Sequence, residues 1–185
     1  MFCSESEFTF GYDLIWDGFC VCCTDGPEFV NNLTLIDYGV HTGENPSMVY
    51  QGIPGDKFYG RLVNYKQYGK GYYNWGSSGN DYYGMWLNGK KHGKGIMNWS
   101  NGSRYQGEWV EDKMHGSGMY TFKSGKEYNG QFSNGKFQGK GRFTLTDGSI
   151  IQGQFKNDDV NGQATKTWTN GSIYDGQWKQ GFEEG

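Results

Sequence analysis

The chain has 185 residues and a formal net charge of −3, with 32 glycines, three prolines and 18% aromatic residues. So many rings beside so little proline exclude a collagen-like or a disordered chain, and the length suits one or two domains. No run of 18 apolar residues occurs, which excludes a hydrophobic spanning helix.

Charge divides sharply along the chain. Residues 1–56 hold nine acids and no Lys or Arg, a net of −9; residues 57–185 hold 17 bases against 11 acids, a net of +6. Residues 1–47 read as an acidic, aromatic arm. Phe8, Phe10, Tyr12, Leu14, Ile15, Trp16, Phe19, Phe29 and Tyr38 are too many hydrophobes for a disordered tail. They are expected to find cover on the basic remainder or on a neighbouring subunit. With no Lys or Arg before Lys57, a signal or transit peptide is not expected, so Cys3, Cys20, Cys22 and Cys23 read as reduced thiols. No His-Cys cluster follows at ligand spacing, and no metal site is expected. The sequons at Asn32, Asn98, Asn101 and Asn170 read as strand and turn residues. In residues 48–57, Met48, Tyr50 and Gly55 keep the spacing of a strand and turn that recur downstream, which predicts a degenerate capping half-repeat.

From residue 58 to 182 one phrase recurs. Gly84, Gly107, Gly130, Gly153 and Gly176 stand 23 residues apart, with Gly60 another 24 before them. They centre Tyr82-x-Gly84-x-Trp86, Tyr105-x-Gly107-x-Trp109, Tyr128-x-Gly130-x-Phe132, Ile151-x-Gly153-x-Phe155 and Tyr174-x-Gly176-x-Trp178. A second phrase follows Gly60, Gly84, Gly107 and Gly130 in turn, as Gly69/Gly71, Gly93/Gly95, Gly116/Gly118 and Gly139/Gly141, with Gly162/Ala164 as the fifth after Gly153. Such a period means one supersecondary unit stacked on copies of itself. Residues two apart share a face of a strand, so Tyr, Gly and Trp lie together. Glycine in mid-strand leaves room for a neighbouring ring. About six polar residues between the phrases (Val110 to His115) read as a hairpin loop. Asn101-Gly102, Ser124-Gly125, Asp147-Gly148 and Asn170-Gly171 read as tight turns after the second phrase. The extra residue of the first repeat falls in the turn of residues 75–79. The fold expected is all-β: a single-layer, twisted antiparallel meander of hairpins with an irregular N-terminal arm. Ile151, Ala164 and Lys166 depart from the pattern, which predicts looser packing in the fifth repeat.

Two surfaces stand out. The outward positions are apolar early in the array (Tyr59, Val63, Tyr72, Tyr83, Met85, Leu87, Ile96) and polar late (Gln152, Gln154, Lys156, Gln163). An apolar patch of this kind marks an interface. With Trp86 and Trp109 of the aromatic face, Tyr59, Tyr72, Tyr83, Met85, Leu87 and Ile96 are the candidate partner-binding residues. Lys66, Lys70, Lys90, Lys91, Lys94, Lys113, Lys136 and Lys140 recur at repeat spacing and are expected on loops along one edge, a candidate site for anionic headgroups; Asp158 and Asp159 end the series. His92 and His115 read as exposed. No G-x-S-x-G, Walker loop or His–carboxylate signature occurs, and the Gly-x-Gly phrases join strand to strand, not strand to helix. No catalytic residue, cofactor, small-molecule substrate or nucleic acid is expected.

Tyr-x-Gly-x-Trp followed by Gly-x-Gly on a 23-residue period, with an Asn/Asp/Ser-Gly turn, resembles the MORN repeat (membrane occupation and recognition nexus) over about Phe58 to Phe182. The resemblance implies five repeats plus an opening half. It also implies attachment to other proteins of a large assembly or to an anionic membrane. Many stand-alone proteins of this family serve cilia, flagella or other cytoskeletal assemblies, radial spoke heads among them. A cytoplasmic, cytoskeletal location, in a cilium or flagellum, is the expectation. Enzymes that carry such repeats, certain lysine methyltransferases and plant phosphatidylinositol phosphate kinases, place the catalytic domain after the array. About three residues follow it here, so a non-catalytic scaffold is expected. The alternatives are a membrane tether and the regulatory half of a truncated enzyme.

Overall fold

A computed structural model describes residues 48–49 and 55–184; the acidic arm of residues 1–47 and Tyr50 lie outside the described residues. Thirteen strands run in chain order: β1 (Met48–Val49), β2 (Lys57–Val63), β3 (Lys66–Trp75), β4 (Asn80–Leu87), β5 (Lys90–Asn98), β6 (Arg104–Val110), β7 (Lys113–Thr121), β8 (Glu127–Ser133), β9 (Lys136–Thr144), β10 (Ile150–Lys156), β11 (Asp159–Thr167), β12 (Ile173–Lys179) and β13 (Phe182–Glu183). They form one open antiparallel sheet in which each strand pairs with its chain neighbours. Among the described residues there is no helix. The short β1 pairs with β2, Met48 opposite Tyr59.

Two kinds of turn alternate, and their places differ from the sequence reading. The stretch expected as a six-residue loop is strand almost throughout, with Val110 opposite Lys113 across a two-residue turn. Both turn residues take positive φ at Asn88 and Gly89 (51° and 82°), Glu111 and Asp112 (48° and 68°), and Asn157 and Asp158 (53° and 78°). This is the type I′ geometry, whose twist matches that of the flanking strands. Where the second residue is Asp, the carboxylate takes up a neighbour's backbone: Asp112 Oδ1 accepts from the Lys91 N–H at 2.9 Å and Asp158 Oδ1 from the Phe137 N–H at 2.8 Å. The pairs expected to form the tight turns, Asn101-Gly102, Ser124-Gly125, Asp147-Gly148 and Asn170-Gly171, instead sit in three-residue loops. Gly102 N donates to Trp99 O and Trp99 N to Ser103 O, both at 2.9 Å, and of Asn101 and Gly102 only the glycine has positive φ. Asn101 Oδ1 accepts from Ser103 N at 2.8 Å, so this asparagine contributes a side-chain bond and not a left-handed backbone. The first such loop, between Trp75 and Asn80, holds the extra residue, as expected.

A row of small residues crosses the sheet. Gly60, Gly71, Gly84, Gly95, Gly107, Gly118, Gly130, Gly141, Gly153, Ala164 and Gly176 stand opposite one another from β2 to β12. Tyr82, Tyr105 and Tyr128 lie over Gly84/Gly95, Gly107/Gly118 and Gly130/Gly141, and Phe58 takes that place over Gly60/Gly71. A Cβ on Gly130 would stand 2.6 Å from the Tyr128 hydroxyl oxygen, and one on Gly118 2.6 Å from Tyr105 Cε2. Tyr82, Tyr105 and Tyr128 are fully buried, with relative exposures of 0%. Each hydroxyl donates to the carbonyl of the residue just past its glycine, Tyr82 to Met85 at 3.0 Å and Tyr105 to Glu108 at 2.9 Å. The ladder register shifts at these steps, so the phenol bonds a carbonyl beside each bulge. Rings of the same and of the next phrase pack edge-on: Trp86 lies 5.1 Å and Trp109 5.5 Å from Tyr82.

The fifth repeat is not looser, contrary to expectation. Ile151 and Ala164 are buried, at 8% and 2% exposure. A Cβ on Gly153 would collide with the Ala164 methyl, where other repeats present a tyrosine ring. Loss of the ring and gain of the methyl thus compensate. Lys166 lies with its ammonium 4.4 Å from the Trp168 ring centroid and 3.1 Å from Glu183.

That compensation is testable by a double-mutant cycle. Gly118→Ala should cost about 1–3 kcal/mol by overpacking against Tyr105, and Tyr105→Ile about 2–4 kcal/mol. Together they should cost at least ~1 kcal/mol less than the sum in urea denaturation; strict additivity would refute the compensation. Burial, with the Asp56 carboxylate beside it, pushes the Tyr73 phenol up to about 12, and burial pushes Tyr128 up to about 12 as well. Folding therefore favours the neutral phenols. Their stabilisation is intact below the ordinary phenol value of 10.0 and is lost as pH rises from there toward 12. Ultraviolet titration should show Tyr73 and Tyr128 ionising together, as alkaline unfolding releases them.

Candidate functional site

The sheet has two faces, and its own core fills most of one. Trp86 and Trp109 are 5% and 3% exposed, and their indole N–H groups donate to Gly71 O and Gly95 O at 3.4 Å. As candidate partner-binding residues they are therefore corrected: strand parity puts them on the ring face, where Tyr82 packs against both. Among the half-buried rings of this face, Trp99, Tyr120, Phe122 and Phe143 still reach solvent. Sequence reasoning did not separate these from the fully buried rungs.

Lys91 also belongs to the ring face. It pairs with Trp86, at the register position that Met114, Phe137 and Val160 hold in later hairpins. Its ammonium lies 5.2, 5.4 and 5.9 Å from the ring centroids of Trp109, Trp75 and Tyr82, and 3.5 Å from Asp112 Oδ1. Its side chain is only 15% exposed. An ammonium held over aromatic faces is electrostatically satisfied there, so Lys91 is removed from the lysine edge. The signal was in the sequence, since its counterparts in the later repeats are apolar.

The other candidate lysines lie on the outward face, and on strands, not loops. Lys66, Lys90, Lys113 and Lys136 each open the strand after a type I′ turn. Lys70, Lys94 and Lys140 stand between the two glycines of Gly-x-Gly; Ser117 takes that place in the third repeat. All seven lysines are exposed. Lys70 lies 5.6 Å from the Tyr83 ring centroid. Lys90 meets Glu111 at 2.9 Å with both side chains open to water, an exchange of little net worth.

Tyr59, Tyr72, Tyr83 and Ile96 stand directly opposite one another from β2 to β5 on this outward face. The same row continues as Gln106, Met119, Asn129, Arg142, Gln152, Thr165 and Asp175. An apolar surface thus gives way to a polar one along the array. The Tyr59 and Tyr72 rings are 6.0 Å apart, and burial raises both phenols above their ordinary range. The Tyr83 hydroxyl is buried without a hydrogen-bond partner among the described residues. Met85 and Leu87 add exposed aliphatic surface, at 42% and 38%. Val110 and Tyr68, 40% and 39% exposed, extend the patch, although the sequence reading left both out. Strand alternation could have found them. Among the described residues no three His, Cys, Asp or Glu side chains gather to hold a metal, and no helix is long and apolar enough to cross a membrane.

The family model of the MORN repeat matches residues 82–104, 105–127, 128–150, 152–173 and 174–185, more than half of the chain. The hairpin of β2 and β3 precedes the match; there Phe58 and Leu62 replace the usual tyrosine and tryptophan. No curated protein matches the chain.

Removing a buried rung should be costly. Trp109→Ala is expected to destabilise the protein by roughly 3–5 kcal/mol in chemical denaturation. A loss below about 1 kcal/mol would return Trp109 to the partner-binding residues.

Proposed function

Because the chain belongs to the MORN-repeat family, a non-catalytic repeat type that mediates protein or membrane-phospholipid contacts, we propose that it is a non-enzymatic scaffold holding partner proteins in a multi-subunit assembly. The observation that carries the reading is the outward row Tyr59, Tyr72, Tyr83 and Ile96 with exposed Met85 and Leu87. On an open sheet whose other face is filled by its own rings, this is the apolar surface left for a partner. The resemblance to stand-alone family members of cilia and flagella supports a cytoskeletal setting, an axoneme among the choices, and so a cytoplasmic place of work.

A second reading is supported by the exposed lysines: a peripheral tether to anionic phospholipid, each lysine near such a surface contributing about 1 kcal/mol. The lysine edge then consists of Lys66, Lys70, Lys90, Lys94, Lys113, Lys136 and Lys140, without the caged Lys91.

Both readings meet one experiment. Tyr59→Ser with Met85→Asp should strip the co-purified proteins from affinity-tagged protein while the melting temperature stays within a few degrees. An unchanged set of partners would sink the scaffold reading. Vesicles containing phosphatidylserine should sediment little of the wild type; strong, salt-sensitive sedimentation abolished by Lys66→Glu, Lys90→Glu, Lys94→Glu and Lys113→Glu would replace the scaffold with the tether.

A further inference from the structure

The turn-side margin of the outward face carries an alternation of its own. In the first three hairpins the last residue before the type I′ turn is aliphatic and the first after it is lysine: Val63 opposite Lys66, Leu87 opposite Lys90, Val110 opposite Lys113. The fourth hairpin keeps the lysine, Lys136 opposite Ser133, and the fifth ends the pattern with Lys156 opposite Asp159. Leu87 and Val110 are 38% and 40% exposed. Lys66, Lys113 and Lys136 are exposed and form no ion pair among the described residues. Lys90 holds only Glu111, whose side chain is itself 68% exposed and easily exchanged.

The spacing of this alternation selects a partner geometry. Equivalent residues of successive hairpins lie two strands apart, about 10 Å at a strand separation of about 4.8 Å. The lysine row is offset from the aliphatic row by one strand, about 5 Å. An α-helix returns to one face after seven residues, about 10.5 Å along its axis, and its i+3 and i+4 residues fall about halfway between. A β-strand presents one face every ~7 Å, out of step with these rows. An anionic membrane would attract the same lysines but has no period to match.

We propose that this margin docks an acidic amphipathic helix from a partner protein, lying across the strands. Its apolar side chains, every seventh residue, rest on Val63, Leu87 and Val110. Its carboxylates, three or four residues further on, meet Lys66, Lys90 and Lys113, with a last one reaching Lys136, and Glu111 gives up Lys90 to the incoming acid. The inference rests on the reading of the outward face as a protein-binding surface.

The test uses the full chain and a fluorescein-labelled peptide of three heptads, with leucine at the first position, glutamate at the fourth and fifth, and alanine or glutamine elsewhere. A scrambled peptide of the same composition is the control. Fluorescence anisotropy should show the ordered peptide binding at least tenfold tighter than the scrambled one, with a gain of helical circular dichroism on binding. Leu87→Ser with Val110→Ser, and separately Lys90→Gln with Lys113→Gln, should each weaken binding at least tenfold without moving the melting temperature. Equal binding of the two peptides, no binding of either, or indifference to both variant pairs would overturn the proposal. So would retention on phosphatidylserine vesicles by protein that ignores the ordered peptide. If Tyr59→Ser with Met85→Asp releases the native partners while the ordered peptide fails to bind, the scaffold stands and only the helix falls. If those partners stay bound while the margin variants lose the peptide, the reverse holds.

Discussion

A tyrosine ring lying over two facing glycines is the contact on which the sheet depends. A single layer of strands has no second layer to cover its apolar face, which is the usual condition for a stable core. Here the covering layer comes from the strands themselves, because glycine leaves a floor low enough for a ring to lie within the thickness of the face. Each glycine costs about 0.5–1 kcal/mol in backbone freedom. Burying a ring returns about 1.5–3 kcal/mol, and its edge-on neighbours about 0.5–1.5 kcal/mol more. The exchange is favourable, and the phenol bond to a carbonyl beside the bulge removes the remaining objection, a buried unsatisfied hydroxyl.

This solution divides labour between the faces. Once rings and glycines are committed to the core side, a polar residue there must be reconciled with rings. Lys91 and Lys166 are reconciled by placing their ammonium groups over indoles and beside a carboxylate. The outward face is under no such constraint, and so it is free to vary from tyrosine and isoleucine at one end to glutamine and threonine at the other. Surface that varies along an otherwise uniform array is where partner choice can be written.

Much of this was legible in the sequence, and the parts that were not share a cause. The 23-residue period and the two-residue alternation around Gly107 and Gly118 were enough to predict hairpins in chain order and the face of the glycines and their rings, though not that of Lys91. Turn geometry was misplaced because Asn-Gly has two uses: Asn88-Gly89 supplies two left-handed residues, while Asn101-Gly102 supplies one together with a side-chain acceptor. Distinguishing them requires knowing which strands pair, and the dipeptide does not carry that. Trp86 and Trp109 were offered to a partner because composition shows a ring but not what lies over it. Ile151 and Ala164 were read as two separate losses, since their compensation exists only across the ladder between β10 and β11.

Strict pairing between chain neighbours has a further consequence. Among the described residues no strand of the first hairpin pairs with a strand of the last, and each repeat is hydrogen-bonded to those beside it. Contacts of such short sequence separation cost little loop entropy to form. The array is therefore a ruler as much as a domain. Gain or loss of one whole 23-residue unit would leave every remaining interface intact and shift whatever is bound at one end by about 10 Å relative to the other. Length, in such a molecule, can be tuned by copying, in fixed steps, without designing a new core.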